Sequence, residues 1–496
     1  MSDQAPFIPP TPEEQAIPPA PFRVFGTPSF ARLFAAQVVS SLGDWIGLIA
    51  ILAMAARVSE SATAVGLVMT ARMLPGFLLA PIGGALIDRW NRRAVMVTCD
   101  IGRAALLVLL PFFDSLPGLV LFSFLLEVLT LLWGPAKDAS VPNVVPAHHI
   151  AAANSLGLVA AYGTFPVGGL IFGGLAKLAE WLGGFSALDH FSLDQESLAI
   201  WVDALTFLTS ALLISRLRLP ERERPSTRRI DWTQTGRDIV DGLKFIRSHS
   251  LVRGVMVGLA GGLIGGGAMV PLGPVFAKQV LGGGSAGFGV LMTALGVGAA
   301  IGVLTLVWVQ QKVPRETVFT AAIVAAGAAI VLAASVSTLT PASLAIVVVG
   351  AASGAGYVTG FTVLQESVQD DLRGRTFATL YTVVRFCLLL ALTLGPFLAN
   401  LLDRISEAAV GGEIEVAGGA IALPGVRLAL WLGGALTVFS GLAARRQMRR
   451  AHRAEDSDEV ADVGADEVAD PVAGEGEGAD EGAVEAGGGG ATEVVE

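Results

Sequence analysis

Residues 63–93 read TAVGLVMTARMLPGFLLAPIGGALIDRWNRR. The part over 63–87 is apolar apart from Arg72, and the part over 88–93 carries one aspartate and three arginines. A bilayer core of about 30 Å is crossed by about 20 apolar residues in a helix. The apolar part therefore predicts a membrane-spanning helix, and the charged part predicts the loop that follows it at the membrane surface.

The same alternation of apolar runs and short polar breaks continues along the chain. Of the 496 residues, 53% are hydrophobic and 15% are charged, whereas about 25% are charged in soluble domains. Helices are expected because lipid offers the backbone no other hydrogen-bond partner, and the short alternating segments of a barrel are not seen. We predict an all-α polytopic membrane protein with twelve spans, at 31–57, 63–87, 94–113, 117–134, 151–177, 198–216, 252–277, 285–309, 317–336, 342–364, 377–402 and 426–444.

Lysine and arginine residues are distributed unequally between the predicted loops. With the N-terminus inside, 25 of them fall on the cytoplasmic side, five fall on the outer side, and three lie within spans. Loops of membrane proteins that stay in the cytoplasm are enriched in these residues. The sequence therefore predicts a multi-pass protein of the plasma membrane with both termini in the cytoplasm.

The longest internal polar segment divides the spans into six and six. We predict a six-helix bundle over 30–216, a cytoplasmic amphipathic linker over 217–251 and a second six-helix bundle over 252–446. The proline-rich residues 1–29 are expected to be disordered, as is the acidic tail that follows a basic stub in 447–496, because both lack bulky apolar groups. The net charge of −10 comes from this tail, so binding of nucleic acid has no support.

The break after the second span matches a short pattern of glycine, aspartate and arginine. Its matching residues are Gly84, Asp88, Arg89, Arg92 and Arg93. The pattern resembles the signature loop between the second and third helices of the major facilitator superfamily, although Asn91 stands where that family usually has a glycine. Asparagine also tolerates positive φ. The resemblance implies two pseudo-symmetric six-helix bundles and a loop that gates alternating access; an arginine cluster that only fixes orientation is the alternative.

Further short motifs are similar to the macrolide-efflux and enterobactin-exporter-like branch of twelve-helix drug:proton antiporters. They include SLGDW at 41–45, ANSL at 153–156 and RGR at 373–375. The fifth span also carries an antiporter-like pattern without the adjacent glycine and proline of the family motif. Its residues are Gly163, Pro166, Gly168 and Gly169. Proton antiport and close helix packing both explain this pattern.

Two charges are predicted at similar depth in adjacent spans. Ionisable groups inside a membrane cost about 2.5–3.5 kcal/mol or more, so they usually face a cavity or a partner. From the helical rise, Asp44 lies about 20 Å and Arg72 about 22 Å from the cytoplasmic ends of their spans, where the two can pair. Asp44 also shares a helical face with Gln37, Ser40 and Ser41, which suits a cavity wall.

A second set of charges is expected nearer the cytoplasm. Asp100, Arg103 and Glu127 lie about 9 Å, about 13 Å and about 10 Å from the inner boundary. The family resemblance implies that spans one, four, seven and ten line the cavity. It thereby makes Glu127 and Asp44 the first candidates for proton coupling, followed by Asp100, with arginines 72 and 103 as charge partners. A structural network of salt bridges is the alternative for all of these residues.

Two other charges lie within predicted spans. Asp203 belongs to span six, a peripheral helix in the family fold, and a structural role is expected for it. Arg385 on span eleven is a third candidate charge partner, and contact with an anion or bracing of the bundle would both explain it.

The sequence is interpreted as a secondary exporter of a small amphipathic molecule, drug-like, macrolide-like or siderophore-like, driven by proton exchange. A lipid or lysolipid flippase of the same fold and a non-transporting membrane sensor are the alternatives. An enzyme is not expected, because all five histidines fall outside the spans. Cys99 and Cys387 lie in apolar runs, so no metal site or cofactor is predicted. The expected partners are a small-molecule substrate, protons and the lipid bilayer, and the expected state is a monomer.

The predicted orientation can be tested with single cysteines in a chain that lacks Cys99 and Cys387. Ser226→Cys lies in the predicted cytoplasmic linker, and Ser186→Cys lies in a predicted outer loop. A membrane-impermeant thiol reagent added to intact cells should label position 186 and leave position 226 unlabelled. Labelling of position 226 from outside would contradict the orientation.

Overall fold

The computed structural model of the chain describes residues 27–59, 61–78, 90–182, 194–217, 244, 247, 249–367, 370–416 and 419–468. Within these residues, eleven helices are long and apolar enough to cross a membrane. The predicted polytopic helical fold is confirmed. The helix predicted over 63–87 is described over Ala62–Leu78, and the rest of it lies outside the described residues.

Fourteen α-helices and one small sheet are found in the part of the chain that the structure describes. The first group of helices comprises α1 (Pro28–Ser59), α2 (Ala62–Leu78), α3 (Arg92–Leu109), α4 (Leu116–Asp138), α5 (Ile150–Gly163), α6 (Phe165–Leu182) and α7 (Gln195–Ser215). The second group comprises α8 (Ser250–Gly267), α9 (Met269–Gln279), α10 (Gly284–Val309), α11 (Arg315–Ser335), α12 (Leu339–Ser367), α13 (Asp370–Val410) and α14 (Gly425–Val468). Only the part of α14 up to Met448 is counted in this group. The strands are β1 (Glu413–Val416) and β2 (Gly419–Ala422).

Two predicted spans are each built from two helices. The span expected at 151–177 consists of α5 and α6, which are separated at Thr164, and the span expected at 252–277 consists of α8 and α9, which are separated at Ala268. Pro166 and Pro271 follow these breaks, and proline has no N–H to donate to the carbonyl four residues earlier. Span seven is therefore interrupted at Ala268.

Asn91 begins α3 in a different way from the one that the motif suggested. Its φ is −66° and its ψ is 112°, so it does not use the positive φ that a glycine would allow. Instead, its side-chain oxygen accepts a hydrogen bond from the backbone N–H of Ala94 at 3.1 Å. Asparagine here is a helix N-cap, which satisfies an amide that would otherwise lack a partner.

Both groups of helices contribute to the largest apolar cluster. Phe172 of α6 and the phenylalanines Phe276 and Phe288 of α9 and α10 are buried in it. By contrast, Leu304 and Trp308 on α10 are exposed. Exposed side chains of this size are expected where a surface faces lipid.

The two groups touch at one end of the bundle, which we call the closed end; α1 ends there and α10 begins there. Gly66 of α2 packs against Pro396 of α13, where an added Cβ would lie 2.8 Å from the proline Cγ. One turn further into the bundle, the hydroxyls of Thr70 and Thr393 are hydrogen bonded at 2.8 Å. In the orientation predicted from the sequence, the closed end faces the outside.

A β-hairpin occupies the predicted outer loop at 403–425, where the sequence indicated no strand. The strands β1 and β2 pair antiparallel, with Glu413 opposite Ala422. Gly411 and Gly412 lead into the hairpin with φ of 67° and 77°, a region in which glycine is free of steric cost.

Residues after Met448 form a separate compact unit. The structure describes 449–468 as helical, although disorder was expected from residue 454. This stretch contains alanine and glutamate, which favour helix. The linker predicted at 217–251 lies almost entirely outside the described residues, so its amphipathic character stays a prediction.

Arg427 anchors the start of α14 to its surroundings. The residue is buried, and its guanidinium donates to the carbonyls of Ala422 and Val336 at 2.6 Å and 3.3 Å and to the hydroxyl of Ser337 at 2.8 Å. One side chain therefore joins α14 to the hairpin and to the segment between α11 and α12.

We predict that Arg427→Met lowers the free energy of unfolding by about 2 kcal/mol, because it leaves two carbonyls and a hydroxyl without their donor. Thermal unfolding in detergent measures this change. Arg404→Met is the matched control, since Arg404 is exposed. Equal stability of the two variants would contradict the anchoring role.

Candidate functional site

Five charged side chains from the first four helices form one network. Arg72 of α2 lies 3.8 Å from Asp44 of α1 and 3.9 Å from Glu127 of α4. Arg103 of α3 lies 3.9 Å from Asp44 and forms an ion pair with Asp100 one turn earlier on the same helix. The sequence placed these residues in two sets at different depths. The structure corrects this separation, because the long side chain of Arg103 extends to Asp44 and that of Arg72 extends to Glu127.

The Asp100–Arg103 pair is enclosed. Asp100 is completely buried and Arg103 is 2% exposed. Ser210 of α7 donates a hydrogen bond to Asp100 Oδ2 at 2.8 Å. The guanidinium of Arg103 lies over the ring of Phe207 at 4.0 Å and near that of Trp133 at 5.4 Å. A buried charge needs such partners to be tolerated, so this pair joins α3 to α7 and α4.

The other side of the network is accessible. The side chains of Asp44, Glu127 and Arg72 are 31%, 21% and 13% exposed. Their ion pairs at 3.8 Å to 3.9 Å are longer than hydrogen bonds. Among the described residues no hydrogen bond to either carboxylate is found. Both carboxylates therefore have room for a proton, a water molecule or a polar group of a substrate.

The charges of the network do not balance. Three carboxylates face two guanidiniums. An uncompensated charge at membrane depth is costly. With all five groups ionised, the network carries one negative charge in excess, which suits the uptake of one cation.

Asp203 lies close to the network without joining it. Its carboxylate packs against Gly43 and Gly47, the glycines on either side of Asp44, and accepts a hydrogen bond from Thr206 Oγ1 at 3.2 Å. Within the described residues it forms no ion pair. The contact places Asp203 between α1 and α7.

The polar face predicted around Asp44 is turned partly toward α5. Gln37 and Ser40 are buried, and Gln37 donates to the carbonyl of Gly157 at 2.9 Å. Gln37 also lines a cavity of about 440 Å³ beside α5, so this face serves a helix–helix contact in part, and its role as the wall of a substrate cavity stays a prediction. Arg385 is exposed on α13, and no ion pair joins it to the network in the part of the chain that the structure describes.

The family model MFS_3, described as transmembrane secretion effector, matches residues 18–423. The chain is a transporter of the major facilitator superfamily. It is not an enzyme, in agreement with the expectation from its histidines.

The transporter is similar to curated members of the superfamily over part of its length. It is 26% identical over 221 residues to the uncharacterized MFS-type transporter YfiS of Bacillus subtilis, a match that covers 44% of this chain and 49% of YfiS. It is 26% identical over 260 residues to YkuC of the same organism, with 50% and 57% of the two chains covered. The chain thus spans about half the length of these relatives.

A solved structure with the same fold is a bacterial homologue of the human lysosomal transporter Spinster, in an inward-facing and unoccupied conformation. The TM-score is 0.64 at 16% identity, and the match covers 85% of this transporter and 97% of the other chain. At this identity the likeness concerns the fold alone. The narrower resemblance to macrolide and enterobactin exporters is not confirmed by these comparisons.

Part of the superfamily signature loop is described. Gly84, Asp88 and Arg89 lie outside the described residues. Arg92 donates to the carbonyl of Ala139, at the end of α4, and Arg93 donates to that of Leu217 at 3.1 Å, just after α7. Cations at helix C-termini satisfy carbonyls that lack a partner in the helix.

Two of the antiporter-like residues of the transporter, Gly168 and Gly169, lie in contacts between helices. A Cβ on Gly168 would lie 2.7 Å from the Cβ of Trp45, and one on Gly169 would lie 2.8 Å from the backbone nitrogen of Thr293. Gly163 ends α5, and Pro166 lies in the first turn of α6. Gly168 and Gly169 thus allow close packing of α6 against α1 and α10, whereas Gly163 is exposed. A role of these residues in coupling stays a prediction.

No sequence pattern indicated the polar contacts at the closed end. Asn400 of α13 donates to the hydroxyls of Ser61 and Thr63, at 2.8 Å and 2.6 Å. Ser285 of α10 donates to Glu196 of α7 at 2.6 Å. In the sequence these are isolated polar residues at the ends of spans, where polar residues are common, so no pattern distinguishes them.

We predict that Asp44→Asn and Asp100→Asn differ in cost. Asp44→Asn should lower the free energy of unfolding by about 2 kcal/mol, because Asp44 is partly exposed and Arg72 keeps Glu127. Asp100→Asn should cost about 3–5 kcal/mol, because Arg103 is then buried without its main partner. Thermal unfolding of both variants measures the difference.

The double change Asp44→Asn with Arg72→Gln tests whether Arg72 also serves Glu127. It leaves Glu127 without its ion pair, so the double variant should be less stable than Asp44→Asn, and equal stability of the two would contradict the pair of Arg72 with Glu127.

Proposed function

We propose that this transporter exports a small amphipathic molecule across the plasma membrane by alternating access, in exchange for protons. One observation carries the proposal: an accessible network with one excess negative charge lies within membrane-spanning helices. Such a site favours the uptake of one cation, which is either a proton or a cationic group of a substrate. Competition of the two for the same carboxylates would couple their movements.

Glu127 is the proposed proton acceptor. It forms one ion pair, with Arg72, whereas Asp44 faces both Arg72 and Arg103. When Glu127 is protonated, the excess negative charge is gone and Arg72 pairs with Asp44 alone. When Glu127 loses the proton, Arg72 pairs with both Asp44 and Glu127. The position of the Arg72 guanidinium between α1 and α4 therefore depends on the protonation of Glu127.

Export is the proposed direction. Among the described residues, the contacts of Thr70 with Thr393 and of Asn400 with Ser61 join the two groups at the closed end, which faces outward in the predicted orientation. We infer that Asp44 and Glu127 are reached from the cytoplasm while this end is closed, as export requires. The description of the family, which names secretion, supports the same direction.

A lipid or lysolipid translocase is the second candidate function. A crevice of about 920 Å³ lies between α8, α13 and α14. Its wall is mostly apolar, with Leu394, Phe397 and Leu436 among its lining residues, and Asn400 and Arg404 supply polar groups. A crevice with this lining fits a hydrocarbon chain with a polar headgroup.

The proton-coupling proposal is tested with Glu127→Gln in proteoliposomes. We expect the variant to lose uphill transport driven by a pH gradient and to keep substrate exchange, because exchange needs no net proton movement. The probe is a transported compound chosen from lipophilic cations, macrolides and siderophores. Glu180→Gln is the matched control, because Glu180 is exposed on α6. Full uphill transport by Glu127→Gln would remove Glu127 from the mechanism.

The two candidate substrates are separated in the same vesicles. Movement of a fluorescent lysolipid between leaflets, without uptake of any of the water-soluble compounds, would replace the first candidate with the second.

A further inference from the structure

Glu196, at the start of α7, is a buried carboxylate at the closed end. The residue is 2% exposed, and each of its carboxylate oxygens has a partner. Arg57 Nε lies 3.1 Å from Oε2, and the hydroxyl of Ser285 donates to Oε1 at 2.6 Å. Arg57 belongs to the first group of helices, whereas Ser285 lies in the first turn of α10 in the second group. One carboxylate therefore joins the two groups.

This contact differs in kind from its neighbours. The contacts of Pro396 with Gly66, of Thr393 with Thr70 and of Asn400 with Ser61 and Thr63 join neutral groups. The bond from Ser285 to Glu196 is short and has a charged acceptor. Hydrogen bonds of this type are about twice as strong as neutral ones.

The Ser285–Glu196 bond can also break without leaving an unpaired charge. Arg57 remains beside Glu196 when Ser285 moves away, and it is held in place by Asp114 at 3.3 Å and Asp194 at 3.1 Å. The carboxylate is then not left as an unpaired charge. A cavity of about 390 Å³ borders Arg57, Glu196 and Ser285, so water can replace the lost hydroxyl. Release therefore costs one hydrogen bond and leaves the ion pair intact.

We propose that Arg57, Glu196 and Ser285 form a gate at the closed end, in which the Ser285–Glu196 bond holds the two groups of helices together and breaks in every transport cycle. Alternating access requires this end to open, and the gate sets the population of the open form. Its effect does not depend on whether the transported partner ion is a proton.

The test measures the distance between the two groups in the full-length chain. Spin labels are attached to cysteines that replace Phe112 of the first group and Thr338 of the second group, both exposed near the closed end, after Cys99 and Cys387 have been replaced by alanine. Double electron–electron resonance in nanodiscs then gives the populations of short and long distances.

Ser285→Ala should shift the ratio of closed to open forms about tenfold toward the long distance, because one hydrogen bond to a charged group is lost. Ser285→Thr keeps a hydroxyl and should restore the wild-type distribution. Ser343→Ala is the matched control, since Ser343 donates to Thr340 within its own helix segment. An unchanged distribution in Ser285→Ala, or an equal shift in Ser343→Ala, would overturn the gate.

A second variant separates the charge from the hydroxyl. Glu196→Gln keeps an acceptor for Ser285 and removes the ion pair with Arg57, so it should give a shift smaller than that of Ser285→Ala. A shift larger than that of Ser285→Ala would assign the effect to the ion pair within the first group and would contradict the proposal. Because the readout is a distance, failure of the gate is distinguishable from failure of proton coupling.

Discussion

The cost of placing charge inside a membrane governs the first group of helices. Arg72 and Arg103 are tolerated because Asp44, Asp100 and Glu127 lie beside them. These five side chains come from four helices. Their pairing therefore fixes how α1, α2, α3 and α4 are rotated toward each other, and a different rotation would leave at least one charge without a partner.

The network contains two environments that the sequence could not separate. Asp100 and Arg103 are enclosed by Ser210 and Phe207 and hold α3 against α7. Asp44 and Glu127 are partly exposed and make only long ion pairs. The structural role therefore fits Asp100 and Arg103, and the coupling role stays a proposal for Asp44 and Glu127. Arg103 pairs with both Asp44 and Asp100, so a change of charge at Asp44 alters the electrostatic environment of the enclosed Asp100–Arg103 pair.

The contacts between the two groups combine close packing with a few polar bonds. Small residues such as Gly66 let helices approach until backbone and side chain touch. Packing of this kind does not depend on hydrophobic driving force, which is weak between helices in lipid. Hydrogen bonds are directional, so polar bonds such as that between Thr70 and Thr393 favour one relative orientation of the packed helices.

The sequence by itself determined the membrane-spanning helices, because span length and hydrophobicity are local properties, and it placed Asp44 and Arg72 at matching depth. It could not join Arg103 to Asp44 or Arg72 to Glu127, because depth along a helix says nothing about rotation around its axis or the reach of a long side chain. No sequence pattern predicted the hairpin after Gly412 or the contact between Glu196 and Ser285. Both depend on which segments meet at the closed end, and only the tertiary structure decides that.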